Sequence, residues 1–235
     1  MSNINNIDIT QIPIFVATIE SATERRARLT TRLKHHKLLS QTKFVYGFNK
    51  DSDLIKWWGY GSNSSIIEYA TFYTHLKCIR SFVESKADIG LILEDDIIFK
   101  NTFVDEINQL LKEKIKNLLL LTCIKFDNTK TSNGIHKITP YIYGAQGYLI
   151  SREYAISLLY KFDTCGFNIT KNRLTSEIIT INSYGNYILP PLIIEECYSS
   201  IMNHNVKNHM NAFKKICNFK DYEIAECDLI KRNWK

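Results

Sequence analysis

Apolar runs long enough to cross a bilayer, which takes about 18–20 residues, are missing from this sequence of 235 residues. The N-terminal segment 1–11 is polar and contains no apolar core of the kind that a secretory signal carries. The six cysteines include no CxxC pair, so neither structural zinc nor a disulfide framework is indicated. These absences predict a cytoplasmic protein with reduced thiols and no transmembrane segment.

Internal repeats and low-complexity linkers are also missing from the chain. Hydrophobic residues make up 45% and charged residues 23% of the sequence, which excludes intrinsic disorder for most of it. A chain of this length suits one domain with a full core. We expect a polar N-terminal tail at 1–11, one α/β domain at 12–195, and a helical or irregular extension at 196–235 that packs on the same domain.

The net charge of +6 allows two interpretations. A basic surface could attract nucleic acid or an anionic membrane face, or a local pocket could hold an anionic small molecule such as a nucleotide. Basic residues cluster at 25–37 and near the C-terminal end, but neither cluster is a dense tract and no nucleic-acid motif is present. We expect no nucleic-acid partner, while peripheral contact with an anionic membrane stays open.

Short apolar runs alternate with helical patterns through the first two-thirds of the chain. The predicted strands lie at 12–19, 43–47, 89–93 and 118–122. The predicted helices lie at 23–36, 65–84, 101–116 and 151–162. This alternation predicts an α/β fold with a mostly parallel sheet flanked by helices, which binds ligands where its strands end.

The predicted helix 65–84 has two distinguishable faces. The residues that follow the helical period and should face the core are Ile66, Tyr69, Tyr73, Leu76, Ile79 and Val83. A more polar face carries Glu68, Thr71, His75 and Cys78. His75 could lie near a ligand, or it could be a histidine at the edge of the core that Thr71 or a backbone carbonyl satisfies.

Three carboxylates, Glu94, Asp95 and Asp96, end the third predicted strand between two apolar runs. Burying unpaired carboxylates is costly unless another group offsets their charge. Mg²⁺ and Mn²⁺ prefer such oxygen ligands and in turn hold diphosphate oxygens. Strand alternation points Glu94 and Asp96 to the same side. The triplet therefore indicates a cation site, with a solvated acidic turn as the alternative.

Four segments, taken in order, resemble those of glycosyltransferase family 25, which includes lipopolysaccharide glycosyltransferases and procollagen galactosyltransferases. They are a strand with an Arg-rich helix at 16–26, the Thr74-His75 pair, the triplet 94–96 and the segment 144–151. The Thr74-His75 pair keeps only the histidine and the preceding hydroxyl of the family's G-x-x-G-C-x-x-S-H helix. The resemblance extends over 12–195.

The resemblance implies a GT-A-type nucleotide-binding fold. It further implies an inverting transfer of a hexose, such as galactose, from a UDP-sugar donor. The acceptor would be a glycan, a lipid-linked sugar or a hydroxylated protein side chain. The cofactor would be Mn²⁺ or Mg²⁺, which stabilises the leaving nucleotide as charge develops on it.

The resemblance also implies roles for individual residues. Asp96 would be the principal metal ligand together with Glu94, and Glu94 or Asp95 would contact the ribose or the sugar. The residues expected to bind the donor are Thr18, Arg25, Glu94, Asp95, His75, Gln146 and Gly147. Arg25 could equally belong to a solvated helix face, and 144–147 could be a bend before a helix.

An inverting transfer needs a general base, and the aspartate that the family carries after the Gly-rich segment is absent here. Glu177 is the carboxylate near that position, and Asp127, after the fourth predicted strand, is the second candidate. Many GT-A enzymes use a late histidine as an extra metal ligand, for which His209 is expected, with His204 as its alternative.

These departures from the family pattern keep two other functions open. One is a non-catalytic protein that binds nucleotide sugars or glycans on the same fold. The other is a metal-dependent phosphoester hydrolase that uses the acidic triplet.

Overall fold

The computed structural model describes residues 7–48, 52–53, 65–113, 115–124, 132–139, 142, 144–165, 179, 184–196 and 206–223. The strands in these ranges are β1 Ile14–Thr18, β2 Thr42–Tyr46, β3 Ile89–Glu94, β4 Ile97–Phe99, β5 Leu118–Leu120, β6 Gly134–Lys137, β7 Gly147–Ser151, β8 Asn186–Leu189 and β9 Ile193–Glu195. The helices are α1 Thr23–His35, α2 Ile66–Glu84, α3 Phe103–Leu110, α4 Arg152–Cys165 and α5 Val206–Ile216. None of the described helices combines the length and apolar character needed to cross a membrane.

A seven-stranded sheet with the order β2-β1-β3-β7-β5-β8-β6 forms the centre of the described residues. β1 pairs in parallel with β2 and β3, and β5 pairs in parallel with β8. β7 runs antiparallel to β3 and β5, and β6 runs antiparallel to β8. All strands except β6 and β7 therefore point the same way, which confirms the predicted α/β fold with a mostly parallel sheet flanked by helices.

Apolar side chains cover both faces of this sheet. Phe15, Ile92 and Tyr148 face the layer that contains α2 and α4, whereas Val16 and Leu93 face the layer that contains α1 and α3. Because successive strand residues point to opposite faces, a strand buried on both sides reads as a continuous apolar run. This is why β1, β3 and β5 could be recognised in the sequence.

Helix α2 is buried more completely than its sequence pattern predicts. It begins after Ser65, which forms a capping box with Glu68. Of the residues predicted to face the core, Tyr69, Leu76 and Ile79 are buried. Tyr73 and Val83 are partly buried against the core, and Ile66 is exposed. The residues buried instead include Phe72, Phe82 and His75. The prediction of a single core face was wrong because α2 packs against both the sheet and α4, where Phe72 meets Phe162.

Helix α3 is shorter than predicted, because the hydrogen bonds after Leu110 change from the α-helical to the 3-10 pattern. The amides of Lys112 and Glu113 donate to the carbonyls of Gln109 and Leu110, which are three residues back. The apolar run that follows the acidic triplet forms β4, which was not predicted. β4 pairs antiparallel with β9 in a separate two-stranded sheet.

Both predicted appendages have described residues that pack on the domain. Ile9 is fully buried, and its amide donates to Asn108 Oδ1 of α3 over 2.8 Å. At the other end, Phe213 and Tyr222 are buried against Ile98 and Ile194. The boundaries at 12 and 196 stay predictions.

Candidate functional site

Polar side chains gather at the edge of the large sheet where β1, β3 and β5 end and β7 begins. Thr18 is the last residue of β1, and Glu94 is the last residue of β3. The amide of Glu94 donates to the carbonyl of Gln146, just before β7, over 2.8 Å. Sheets of this type bind ligands at this edge. The candidate site therefore lies where the fold class predicts it.

Asp95 and Asp96 form a buried acidic turn between β3 and β4. Thr18 Oγ1 donates to Asp95 Oδ2 over 2.5 Å. Arg25 of α1 pairs with both aspartates, at 3.1 Å from Asp95 Oδ1 and 3.3 Å from Asp96 Oδ2. Glu94, the last residue of β3, pairs instead with His75 of α2, and the predicted shared side of Glu94 and Asp96 stays a prediction.

The electrostatics of this turn favour a further positive charge. Burial raises the pKa of Asp96 well above the usual range of an aspartate, and the charges of Glu195 and Glu94 raise it further. Burial also raises the pKa of Asp95, although Arg25 and Thr18 both oppose that rise. Asp96 Oδ1 is buried without a hydrogen-bond partner among the described residues. Arg25 alone therefore does not balance the two aspartates.

The predicted metal ligands are not arranged as a preformed cation site. Among the described residues, no three His, Cys, Asp or Glu side chains are placed to hold a metal ion. His209 Nδ1 of α5 lies 2.6 Å from Glu195 Oε2, and Glu195 is one of the charges that act on Asp96. The buried, unpartnered Asp96 Oδ1 nevertheless fits the oxygen donors that Mg²⁺ and Mn²⁺ prefer.

His75 of α2 holds Glu94 rather than facing solvent. Its side chain is fully buried, and Nε2 lies 3.1 Å from Glu94 Oε1. Its other ring nitrogen, Nδ1, lies 3.1 Å from the hydroxyl of Tyr148. The Glu94 side chain keeps 23% exposure. His75 is thus satisfied by Glu94 and Tyr148, not by Thr71, and its position lets it orient Glu94.

The small residues of 144–147 are required by packing. A Cβ on Gly147 would lie 2.0 Å from Ile193 Cδ1 and 3.0 Å from Leu93 Cδ2. Gly144 has a φ of +156°, and a Cβ there would lie 2.6 Å from the carbonyl oxygen of Thr122. Gln146, between them, is buried and has an Oε1 without a hydrogen-bond partner among the described residues.

The arginines of the basic cluster 25–37 contact groups of this domain. Arg26 donates to the carbonyls of Ile19 and Glu20. Arg28 and Arg32 both pair with Glu196, whose side chain is fully buried. Burial alone would raise the pKa of Glu196, but these two arginines hold it below its usual range. Arg26, Arg28 and Arg32 are therefore engaged within the domain, and both interpretations of the net charge stay predictions.

Several expected residues lie outside the described ranges. Both candidates for the general base, Glu177 and Asp127, and the alternative histidine, His204, are among them. Their roles stay predictions.

Three residues of the site were not singled out in the sequence. Glu195 follows an apolar run that resembles β3 in ending on acidic residues, a signal that could have found it. Tyr148 lies two residues after Gln146, within β7. Thr122 was counted as the end of a strand, and nothing in its sequence neighbourhood marks it.

Comparison with known proteins identifies the family of the chain. No curated protein matches the chain in a sequence search. A family model described as glycosyltransferase family 25 (LPS biosynthesis protein) matches residues 11–171, which is more than half of the chain. The chain therefore belongs to glycosyltransferase family 25.

Proposed function

We propose that this protein transfers a hexose, such as galactose, from a UDP-sugar to a glycan, a lipid-linked sugar or a hydroxylated protein side chain, with a divalent cation. The observation that carries the proposal is the buried turn of Asp95 and Asp96 at the ligand-binding edge of the sheet. Its aspartates pair with Arg25, and Asp96 Oδ1 has no hydrogen-bond partner among the described residues.

Asp96 is the proposed principal ligand of Mn²⁺ or Mg²⁺, with Glu94 and His209 as further ligands. When bound, the cation supplies charge that stabilises the departing nucleoside diphosphate. Thr18 fixes Asp95 by its hydrogen bond, and Arg25 adds a permanent positive charge beside both aspartates. These contacts orient the acidic turn before any ligand arrives.

The proposed base acts on the acceptor. Glu177, with Asp127 as the competing candidate, would take the proton from the acceptor hydroxyl as that oxygen attacks the anomeric carbon. The bond from that carbon to the diphosphate then breaks on the opposite face, so the configuration inverts.

The experiment measures Mn²⁺-dependent turnover and binding with a panel of nucleotide sugars, for the wild type and Asp96→Asn. We expect UDP plus Mn²⁺ to raise the melting temperature of the wild type, because a ligand that binds only the native state stabilises it. Asp96→Asn should lose this shift and the turnover. Asp163→Asn is the matched control, since Asp163 is a half-exposed aspartate that pairs with Arg80.

The products separate this proposal from its alternatives. UDP together with a transferred or free hexose supports the glycosyltransferase. Hexose phosphate and UMP would indicate a phosphoester hydrolase, and binding without turnover of any donor would indicate a binding protein. If the affinity for UDP-sugars is the same with and without a chelator, the metal dependence is contradicted.

A further inference from the structure

Three hydrogen-bonded side chains connect the buried core to the candidate site. Tyr148 lies in β7, His75 lies in α2, and Glu94 is the last residue of β3. The Tyr148 hydroxyl lies 3.1 Å from His75 Nδ1, and His75 Nε2 lies 3.1 Å from Glu94 Oε1. Tyr148 and His75 are fully buried, whereas the Glu94 side chain keeps 23% exposure. We call these three residues the Tyr-His-Glu triad, of which Glu94 is the member open to a ligand.

The hydroxyl hydrogen of Tyr148 decides how protons are placed along this triad. Among the described residues, His75 is the one hydrogen-bond partner of that hydroxyl. Burial raises the pKa of Tyr148 well above the usual range of a tyrosine, so the hydroxyl keeps its hydrogen at neutral pH. A buried O–H group without an acceptor is costly, and folded proteins keep few of them. The Tyr148 hydroxyl therefore donates to His75 Nδ1.

This direction of donation selects one tautomer of His75. A ring nitrogen that accepts a hydrogen bond carries no proton, and the neutral imidazole then carries its proton on the other nitrogen. Nε2–H of His75 therefore donates to Glu94 Oε1, which lies 3.1 Å away. The other tautomer and the imidazolium both place a proton on Nδ1, and each would leave the Tyr148 hydrogen without an acceptor. The Nε2–H tautomer alone gives that hydrogen an acceptor and gives Glu94 a donor.

Packing holds the triad in this arrangement. The rings of His75 and Tyr148 stack, with their centroids 5.8 Å apart and an angle of 19° between their planes. The strands that carry Tyr148 and Glu94 are neighbours, because Leu93 of β3 pairs with Gly147 of β7. The imidazole of His75 reaches both side chains from α2. Buried polar networks whose members are all satisfied favour one conformation, so the triad gives the Glu94 carboxylate a defined orientation.

We infer that Tyr148 is a positioning residue for the transfer: it fixes the tautomer of His75, and His75 in turn orients the Glu94 carboxylate for ligand binding. The inference rests on the proposed function, in which Glu94 meets the ligand. It gives Tyr148 and His75 a role that needs no contact with that ligand. Removing an outer partner of this kind weakens binding although every group that touches the ligand is still present.

The first measurement is the nitrogen NMR spectrum of the His75 imidazole in the ligand-free protein at neutral pH, which distinguishes protonated from unprotonated ring nitrogens. We expect a protonated Nε2 and an unprotonated Nδ1, and a protonated Nδ1 in the wild type would overturn the inference. In Tyr148→Phe, which keeps the ring and removes the hydroxyl, the Nδ1 signal should move to that of a nitrogen that accepts no hydrogen bond. Tyr154→Phe is the matched control, since it removes a hydroxyl that donates to the carbonyl of Ile179 over 2.9 Å, and it should leave the His75 signals unchanged.

The second measurement is the affinity for UDP-hexoses in Mn²⁺. It should fall about 3- to 10-fold in Tyr148→Phe, the value of one hydrogen bond, and stay unchanged in Tyr154→Phe. His75→Leu removes the link between Tyr148 and Glu94, so adding Tyr148→Phe to it should cause no further loss. An equal loss from Tyr148→Phe in both backgrounds, or no loss in either, would overturn the inference and leave the proposed function standing. A wild type that binds no UDP-hexose would overturn both.

Discussion

The clearest quantitative prediction concerns Glu196, which joins helix α1 to the end of β9. Its carboxylate accepts from Arg28 Nη2 over 2.7 Å and from Arg32 Nη1 over 2.5 Å, with its own side chain fully buried. Removing one member of a buried ion pair costs about 3–5 kcal/mol, because the remaining charge is left uncompensated. Arg28 and Arg32 keep 29% and 13% exposure, so water solvates part of that charge. For Glu196→Gln we therefore expect a loss of about 2–3 kcal/mol.

The assay is denaturant-induced unfolding at neutral pH, with Glu24→Gln as the matched control. Glu24 also pairs with Arg28, at 3.9 Å, but its side chain is 92% exposed, so its replacement should change stability little. The pH dependence follows from the lowered pKa of Glu196. The stabilisation is complete above the pKa of the unfolded chain and is lost as the pH falls through the lower pKa of the folded state. The two variants should therefore converge in stability in acid, and an equal loss for both at neutral pH would refute the reasoning.

Two further predictions concern catalysis and packing. Glu177→Gln should lower kcat by about 10²–10⁴-fold with little change in donor affinity, because a general base acts in the transition state. If Glu177→Gln keeps normal turnover and Asp127→Asn is inactive, Asp127 is the general base. Gly147→Ala should destabilise the protein by about 1–3 kcal/mol through overlap with Ile193 Cδ1, as measured by thermal unfolding. The double variant with Ile193→Val, which removes that methyl group, should recover part of the loss, and no recovery would contradict the assigned contact.

Much of the sheet could be predicted because its strands are buried on both faces. β1, β3 and β5 are continuous apolar runs whose short length distinguishes them from helices, as do the β-branched residues of β1 and β3. β4 and β9 are three residues long, as β5 is, but they lie outside the alternating order of strands and helices and pair with each other in a separate two-stranded sheet. The faces of α2 could not be predicted either, since a helix covered by both a sheet and another helix loses its amphipathic pattern.

The positions of the site residues in the fold were predicted more accurately than the side chains that they contact. The acidic triplet and Gln146 lie at one sheet edge, as expected from where their strands end. The individual partners depend on tertiary structure: nothing local in the sequence tells that His75 meets Glu94. The same is true of the arginines 25, 28 and 32, whose spacing indicates one helix stripe but not the carboxylates that it meets.

The double ion pair of Arg25 makes this side chain an internal competitor for any cation that binds the acidic turn. A metal ion on Asp96 Oδ1 would lie beside the Arg25 guanidinium, which is 3.3 Å from Asp96 Oδ2, and repulsion between the two positive charges lowers the affinity of the metal when it binds alone. A diphosphate offers the guanidinium a new anionic partner, and so removes that penalty. The cation and the donor should therefore bind with positive cooperativity. By thermodynamic linkage, the factor by which the donor tightens metal binding equals the factor by which the metal tightens donor binding.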